Sequence, residues 1–259
     1  MKRPVFSLGV SVLLYSAFSC QKVIHVDLNS SQPQLVVEAS LSDSSADTVR
    51  LTRTINFDQP NKFPPEEGAQ VRISDDSGNT ALLTEESPGL YVSPNPPGIP
   101  GHTFLLEIST DGKNYSATST MPPPVKIDSL TLTNSFFGRG KFLTAYFQDS
   151  AGVKNYYRLV ESVNGVIDNS IRVGDDFLLD GKTNSFMLYE DRDRVNNGDT
   201  ITLYLQTIDK PVYDYFRTLV QVSGDEQGTA PANPLSNISN GALGYFSAYA
   251  VRSKTIILK

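Results

Sequence analysis

The two histidines, His25 and His102, are the side chains of this sequence best suited to exchanging a proton near neutral pH. A Ser-His-Asp relay or a histidine-rich zinc site would have to use His102, because His25 lies in a polar segment near the amino terminus. His102 follows a loop rich in proline and glycine, where a solvated histidine without a catalytic role is favoured. The sequence therefore predicts no catalytic residue and no metal site.

Two polar segments contain residue types that bind phosphate or calcium. Asp180-Gly181-Lys182-Thr183 resembles the end of a phosphate-binding loop, but Asp176 stands where such a loop requires a glycine, so a hairpin turn is predicted. Residues 190–199 are rich in oxygen ligands, yet Val195 occupies the fifth position of the calcium-loop pattern and two arginines neutralise the acids. A charged surface loop is favoured there, with calcium binding as the alternative, and no cofactor is predicted.

Cys20, the one cysteine, has the clearest chemical prediction. Residues 1–19 begin with two basic residues, continue with an apolar run too short to span a bilayer, and end with the small residues Ala17 and Ser19 near the thiol. This layout is typical of a lipoprotein signal peptide, in which Cys20 becomes the first mature residue and carries the lipid. An ordinary cleaved signal peptide and a buried apolar cysteine are the alternatives.

Composition limits the remaining function classes. The 259 residues carry a net charge of −6, and lysine and arginine do not cluster, which argues against binding of nucleic acid. Glycine and proline are frequent, tyrosine and phenylalanine are plentiful, and tryptophan is absent. This composition is typical of short strands joined by tight turns, and the length allows two domains.

Hydrophobic alternation predicts a mainly β fold, with an N-terminal immunoglobulin-like β-sandwich followed by a second β-rich domain with one packed helix. Hairpins are predicted around Asp75–Asn79 and Asp111–Gly112, which lie between alternating runs. The consecutive prolines of Met121–Pro124 cannot donate to a sheet and mark the domain boundary. The predicted units are the signal peptide at residues 1–20, a tether at 21–33, the sandwich at 34–121 and the second domain at 122–259.

The predicted helix of the second domain lies near residues 210–222. Asp209 can cap it, Pro211 fits its first turn, and apolar residues recur at helical spacing before Gly224. We interpret this apolar stripe as core packing rather than a binding face. The predicted strands are Ser129–Thr133, Lys141–Phe147, Tyr156–Val163, Val166–Val173, Asn184–Tyr189, Thr200–Thr207, Gly244–Val251 and Thr255–Leu258.

Several motifs spread over nearly the whole chain carry a family resemblance. They are Cys-Gln-Lys-Val-Ile at residues 20–24, Pro-Gln-Leu-Val-Val-Glu at 33–38, Gly-Ala-Gln-Val-Arg-Ile-Ser-Asp-Asp-Ser-Gly at 68–78, Ser-Pro-Gly-Leu-Tyr at 87–91, Ser-Thr-Met-Pro-Pro-Pro-Val-Lys-Ile-Asp-Ser-Leu at 119–130 and Asn-Pro-Leu-Ser-Asn-Ile-Ser-Asn-Gly-Ala-Leu-Gly-Tyr-Phe-Ser-Ala at 233–248. Together they resemble a Bacteroidetes lipoprotein family known as domain of unknown function 4249.

The resemblance implies an outer-membrane or surface lipoprotein, in a family often encoded beside TonB-dependent receptors. It implies no catalytic or ligand-binding residues. Surface export in these bacteria is associated with acidic residues directly after the cysteine, whereas Gln21 and Lys22 stand there in this chain. The periplasmic and surface faces of the outer membrane therefore both stay open.

Two function classes follow from these observations. The first is a non-catalytic binding or accessory component of the outer membrane that acts with a TonB-dependent receptor in nutrient uptake. Exposed aromatic residues in loops, Phe63, Phe136 and Phe137, are its candidate ligand contacts, although the last two are equally compatible with core packing at a strand end. The alternative is an envelope-anchored hydrolase of glycans or peptides, which needs paired carboxylates or an activated nucleophile and is supported by no motif.

Overall fold

The computed structural model describes residues 32–56, 59–93, 98–134, 140–190, 195–223 and 233–259. The predicted signal peptide with Cys20, the tether as far as Ser31, and the loop holding Phe136 and Phe137 lie outside these ranges. Among the described residues, no helix has the length and apolar character needed to cross a bilayer. The described chain forms sixteen strands and one helix, so the predicted mainly β fold is confirmed.

The first sandwich lies where the sequence predicted an N-terminal β-sandwich. Its strands are β1 (Leu35–Ser42), β2 (Thr48–Arg53), β3 (Gln70–Asp75), β4 (Thr80–Leu82), β5 (Thr84–Ser87), β6 (Leu90–Val92), β7 (Thr103–Thr110) and β8 (Lys113–Thr120). One layer contains β1, β2, β6 and β5, and the other has the order β4-β3-β7-β8. Val37, Leu51 and Leu106 alternate with more exposed neighbours and are buried between the layers. Both predicted hairpins, β3–β4 and β7–β8, are confirmed.

The second sandwich follows the proline run. Its strands are β9 (Ile127–Asn134), β10 (Lys141–Gln148), β11 (Tyr156–Val163), β12 (Val166–Ile167), β13 (Arg172–Asp175), β14 (Thr183–Glu190) and β15 (Thr200–Ile208). A three-stranded sheet, β14-β10-β9, packs against β11 and β15. Between them the rings of Phe147 and Tyr157 meet edge to face, with their centroids 4.8 Å apart. The single strand predicted over Val166–Val173 is wrong. It is split into β12 and β13 because Asp168 Oδ1 accepts a hydrogen bond from the Ser170 amide at 3.2 Å and turns the chain.

The last strand, β16 (Leu243–Ile257), joins the two sandwiches. Its first half pairs in parallel with β1, and its second half pairs in antiparallel with β15. The result is one sheet with the order β12-β11-β15-β16-β1-β2-β6-β5, in which β13 also pairs with β11. The two C-terminal strands predicted from the sequence are therefore one strand. The proline run lies between β8 and β9, and independent folding of the two units on either side stays a prediction.

The one described helix, α1 (Lys210–Ser223), lies where the sequence predicted it. Val212 and Phe216 are buried, and the Phe216 ring lies 4.9 Å from that of Tyr245 on β16. Because side chains alternate along a strand, Tyr245 lies on the opposite face of the shared sheet from Phe246, which belongs to the first core. The helix therefore covers the outer face of the shared sheet. Most of its apolar stripe is core, as predicted, but Val222 near its end is exposed.

Two aspartates tie the sandwiches together near the middle of the shared sheet. Asp209 Oδ2 accepts hydrogen bonds from Ser119 Oγ at 2.9 Å and from the Thr120 amide at 3.0 Å, so the residue preceding α1 holds the end of β8. Asp43, at the end of β1, accepts a hydrogen bond from Arg252 Nη1 at 2.6 Å. These contacts join segments far apart in sequence and fix the sandwiches to each other.

The strand registers define two opposite ends of the molecule. At the end that we call proximal, the described chain enters β1, and Val36 lies beside Leu243. At the end that we call distal, Thr200 lies beside Ile257, and Lys141 Nζ donates to the carbonyl of Lys259 at 2.7 Å. The fifteen residues of β16 connect these ends and span about 50 Å at roughly 3.3 Å per residue.

Candidate functional site

A cavity of about 730 Å³ opens at the distal end. Its lining includes Asn134 at the end of β9, Lys141 at the start of β10, Glu190 at the end of β14, and the terminal Lys259. The Lys141 ammonium donates to Asn197 Oδ1 at 2.9 Å, and Glu190 is fully buried. The wall therefore presents amide groups and the Lys141 ammonium, which suits a polar ligand or the polar rim of a protein contact.

Gly140 determines how the chain leaves this cavity and enters β10. Its φ is +138°, and a Cβ there would lie 2.4 Å from the Glu190 carbonyl oxygen and 2.9 Å from Tyr189 Oη. Only glycine fits so close an approach. Phe136 and Phe137 belong to the connection between Asn134 and Gly140, both of which line the distal cavity. Their side chains lie outside the described residues, so their role as ligand contacts stays a prediction.

An outward-facing aromatic surface adjoins this cavity. Phe142 on β10 lies opposite Tyr189 on β14, with ring centroids 5.3 Å apart, and the next pair on this side of the sheet is Met187 with Thr144, which is buried. Met187 is 67% exposed, and Tyr146 and Tyr189 are also exposed. We call Phe142, Tyr146, Met187 and Tyr189 the aromatic face. Tyrosine, phenylalanine and methionine are enriched where proteins bind each other, because they bury much area and adapt to a partner.

The sequence contains a signal for the aromatic face that the prediction missed. A half-buried strand needs apolar residues on one face only, but β10 has Leu143, Ala145 and Phe147 inward and Phe142 and Tyr146 outward. Apolar residues on both faces of a strand indicate that its outer face has a second role. Tyr189 links the two features, because it lies beside Gly140 at the cavity and beside Phe142 on the aromatic face.

Phe63, the third predicted contact, lies far from the aromatic face. It is 54% exposed in the connection between β2 and β3. The neighbouring Pro64 carbonyl accepts a hydrogen bond from the Arg53 amide at 2.9 Å, and Arg53 pairs with Leu35 at the proximal end. The structure therefore does not bring Phe63 together with the distal cavity in one site.

His102 contacts both a serine and an aspartate, but through a single ring nitrogen. Its Nδ1 lies 2.6 Å from Asp76 Oδ1 and 3.3 Å from Ser77 Oγ. A Ser-His-Asp relay needs the hydroxyl and the carboxylate at opposite nitrogens of the ring. This arrangement lacks the relay geometry, and His102 instead connects the β3–β4 turn to the start of β7.

Asp149, Asp176 and Asp180 place carboxylate oxygens within 4.8 Å of one another, which is close enough to share a cation. Each carboxylate is already engaged in holding a loop. Asp149 Oδ2 accepts from the Gly181 amide at 3.0 Å, Asp180 Oδ1 accepts from the Gly152 amide at 2.8 Å, and Asp176 pairs with Lys154. These contacts account for the cluster as a structural junction between loops.

Residues 180–183 and 190–199, the candidate segments for phosphate and calcium, are accounted for by their place in the fold. Residues 180–183 do not form the predicted hairpin turn, because they connect β13 and β14, which belong to different sheets. In the acidic segment, residues 191–194 lie outside the described ranges, and Val195 packs into the second core. Asp199 accepts hydrogen bonds from Asn164 Nδ2 at 2.9 Å and from the Asn196 amide at 2.7 Å, so its carboxylate closes the local loop.

A family model described as a domain of unknown function (DUF4249) matches residues 21–255. No curated protein matches the chain. Among solved structures, the Yersinia pseudotuberculosis adhesin InvE is similar over 67% of this chain, with 18% sequence identity and a TM-score of 0.23. The similarity covers 55% of the adhesin chain, so this chain spans about half of that protein's length, and the likeness carries no argument about function.

Proposed function

Because the chain belongs to the family of the domain of unknown function DUF4249, we propose that it is a lipid-anchored, non-catalytic binding component of a bacterial outer membrane. In this proposal Cys20 carries the lipid, and the distal surface contacts a TonB-dependent receptor during nutrient uptake. One observation supports it above all: the described chain enters at the proximal end, whereas the aromatic face and the distal cavity lie in the sandwich at the other end.

The shared sheet explains how such a component would present a binding surface. An anchor before residue 32 holds the proximal end at the membrane, and β16 extends about 50 Å from there to the distal end. The contacts of Asp209 and Asp43 restrict movement between the sandwiches. A rigid arm of this kind reduces the entropy lost when a partner binds, because the surface is already in position.

Replacing Met187 by glutamate is expected to lower recovery of the partner receptor at least about tenfold. Met187 is 67% exposed at the centre of the aromatic face, and a buried, unpaired carboxylate at an interface costs more than the roughly 1.4 kcal/mol that tenfold represents. The measurement is affinity purification from native membranes, followed by quantification of co-purified outer-membrane proteins. The epitope tag is inserted after Asn61 in an exposed loop, since a C-terminal tag would follow Lys259 in the distal cavity.

Leu82→Glu is the matched control for Met187→Glu. Leu82 is 65% exposed on β4 of the first sandwich, so the change in charge and the loss of exposed apolar area are nearly the same. Receptor recovery with this variant should equal that of the unchanged protein. Equal recovery with both variants, or hydrolysis of a glycan or peptide by the purified protein, would contradict the proposed role.

Cys20→Ala is expected to move the protein from the membrane fraction to the soluble fraction of fractionated cells. The change removes the thiol that carries the lipid, and the remaining apolar run is too short for stable insertion. Ser30→Ala, in the tether, keeps Cys20 and the small residues before it and serves as the control. Retention of Cys20→Ala in membranes after a high-salt wash would rule out a lipid at this residue as the anchor.

A further inference from the structure

A second cavity, of about 430 Å³, lies in the first sandwich, close to the middle of the shared sheet. Buried Leu41, Asp47 and Phe104 line it together with the exposed residues Asn79 and Ile99. It is therefore open to solvent. Its wall is mixed, with apolar side chains such as Leu41 and Phe104 beside polar ones such as Ser74 and Thr80, and with one buried carboxyl group, that of Asp47. Its volume lies within the range of small-molecule sites, roughly 300–1,000 Å³.

Asp47 is buried at this cavity without full hydrogen bonding. The residue is 4% exposed, and its Oδ1 has no hydrogen-bond partner among the described residues. Burial raises the pKa of Asp47 to about 7, although hydrogen bonds from the Ser42 backbone and the Ser93 side chain oppose that rise. A buried acceptor left unsatisfied costs stability, and groups retained at such a cost concentrate at binding sites.

The charges around the cavity favour a positively charged ligand. Two carboxyl residues, Asp47 and Asp75, line it, and among the residues that the structure describes no lysine, arginine or histidine does. The Asn79 side chain and neighbouring amides donate hydrogen bonds to Asp75 and lower its pKa, so Asp75 is ionised at neutral pH. Anionic ligands are therefore repelled, and cationic ones are attracted.

We infer that this cavity is a binding site for a small organic cation, whose ammonium group donates to Asp47 while its hydrocarbon part packs against Leu41, Phe104 and Ile99. The ammonium supplies the donor that Asp47 lacks and pairs with its buried charge. Because Asp47 is buried, the contact is screened by water less than a surface ion pair would be. The site lies in the first sandwich, away from the aromatic face, so the inference stands whether or not the chain assists a receptor.

Three probes of the same shape test the charge preference. They are 2-phenylethylammonium, 2-phenylethanol and phenylacetate, titrated into the purified protein at pH 8, where Asp47 is mostly ionised, and followed by NMR chemical shifts. The ammonium should bind at least about tenfold more tightly than the alcohol, because hydrogen bonds to charged groups are the stronger kind. Phenylacetate should bind most weakly of the three.

Asp47→Asn should abolish the difference between the ammonium and the alcohol, because it removes the charge and keeps the shape. Asp76→Asn is the matched control, since it removes one charge from the adjacent turn at a residue that does not line the cavity. Its ammonium affinity should stay within about twofold of the unchanged protein. Asp47→Asn is expected to fold, since it relieves a buried charge.

A second variant keeps the test decisive if Asp47→Asn misfolds. Ile99 is exposed at the cavity, so Ile99→Lys should fold normally and should weaken ammonium binding at least about tenfold by charge repulsion. Three outcomes would each overturn the inference. They are equal binding of all three probes, unchanged binding in both cavity variants, and no ammonium binding at 10 mM, which is about the weakest affinity worth calling a site.

Discussion

Gly244→Ala is expected to lower the free energy of unfolding by roughly 4 kcal/mol, which is a large part of the stability of a typical domain. Gly244 has a φ of +96°, and a Cβ there would lie 1.9 Å from the Val37 carbonyl oxygen and 2.7 Å from its carbonyl carbon. Both atoms belong to the backbone of β1, so no side chain can move aside. The parallel pairing of β16 with β1 must shift to accept the methyl group, and this pairing holds the shared sheet together.

Urea denaturation of the non-lipidated protein measures this effect, with Gly78→Ala as the matched control. Gly78 has a similar φ of +89°, but a Cβ there would have no atom within 4 Å. The control therefore reports the cost of the backbone conformation alone, about 1 kcal/mol. If the two variants lose the same stability, the close approach of Gly244 to β1 does not exist in solution.

Asp209→Ala is expected to destabilise the protein by about 2–4 kcal/mol. Its carboxylate accepts the Val212 amide of α1 at 3.2 Å, and a lost helix cap costs about 1 kcal/mol. The same carboxylate accepts from the Thr120 amide and from Ser119 Oγ, and because Ser119 is buried, leaving its hydroxyl without this partner costs about 1–3 kcal/mol more. Burial raises the pKa of Asp209, and the hydrogen bonds from Ser119, Thr120 and Val212 oppose that rise.

Asp214→Ala, in the same helix, is the control for Asp209→Ala. Its carboxylate pairs with Lys210 and Arg217 on the helix surface, so its removal should cost less than about 1 kcal/mol. Ser119→Ala separates the two roles of Asp209, because it removes a contact between the sandwiches and leaves the helix cap intact. A loss with Asp209→Ala no greater than that with Asp214→Ala would show that the junction between β8 and α1 contributes little.

The same junction bears on the proposed binding role. Asp209 lies where β15, α1 and the end of β8 meet, so loosening it frees the distal sandwich from the proximal one. A partner that needs the aromatic face at a fixed distance from the membrane would then bind less tightly, because more orientational entropy is lost on binding. The cation site in the first sandwich should be affected less, since its lining residues all belong to that sandwich.

Turns and helix caps, which depend on residues close together in the sequence, were predicted correctly. Asp111-Gly112 forms the tight turn between β7 and β8, and both residues have positive φ, as this dipeptide favours. Asp209 and Pro211 mark the start of α1, because an aspartate caps free amides and proline fits the first helical turn. Such signals depend on local backbone conformation, so they can be recognised in the sequence without knowledge of the fold.

The tertiary structure alone decided which distant segments meet. The pairing of Val36 with Leu243 joins residues more than two hundred positions apart, and no local pattern encodes its register. The same pairing makes one strand serve two sandwiches. Packing within the first sandwich puts the carboxyl of Asp47 at a cavity, which no local pattern predicts. Local propensity fixes turns and caps, whereas strand order, burial and the sharing of sites depend on packing between segments that the linear sequence keeps apart.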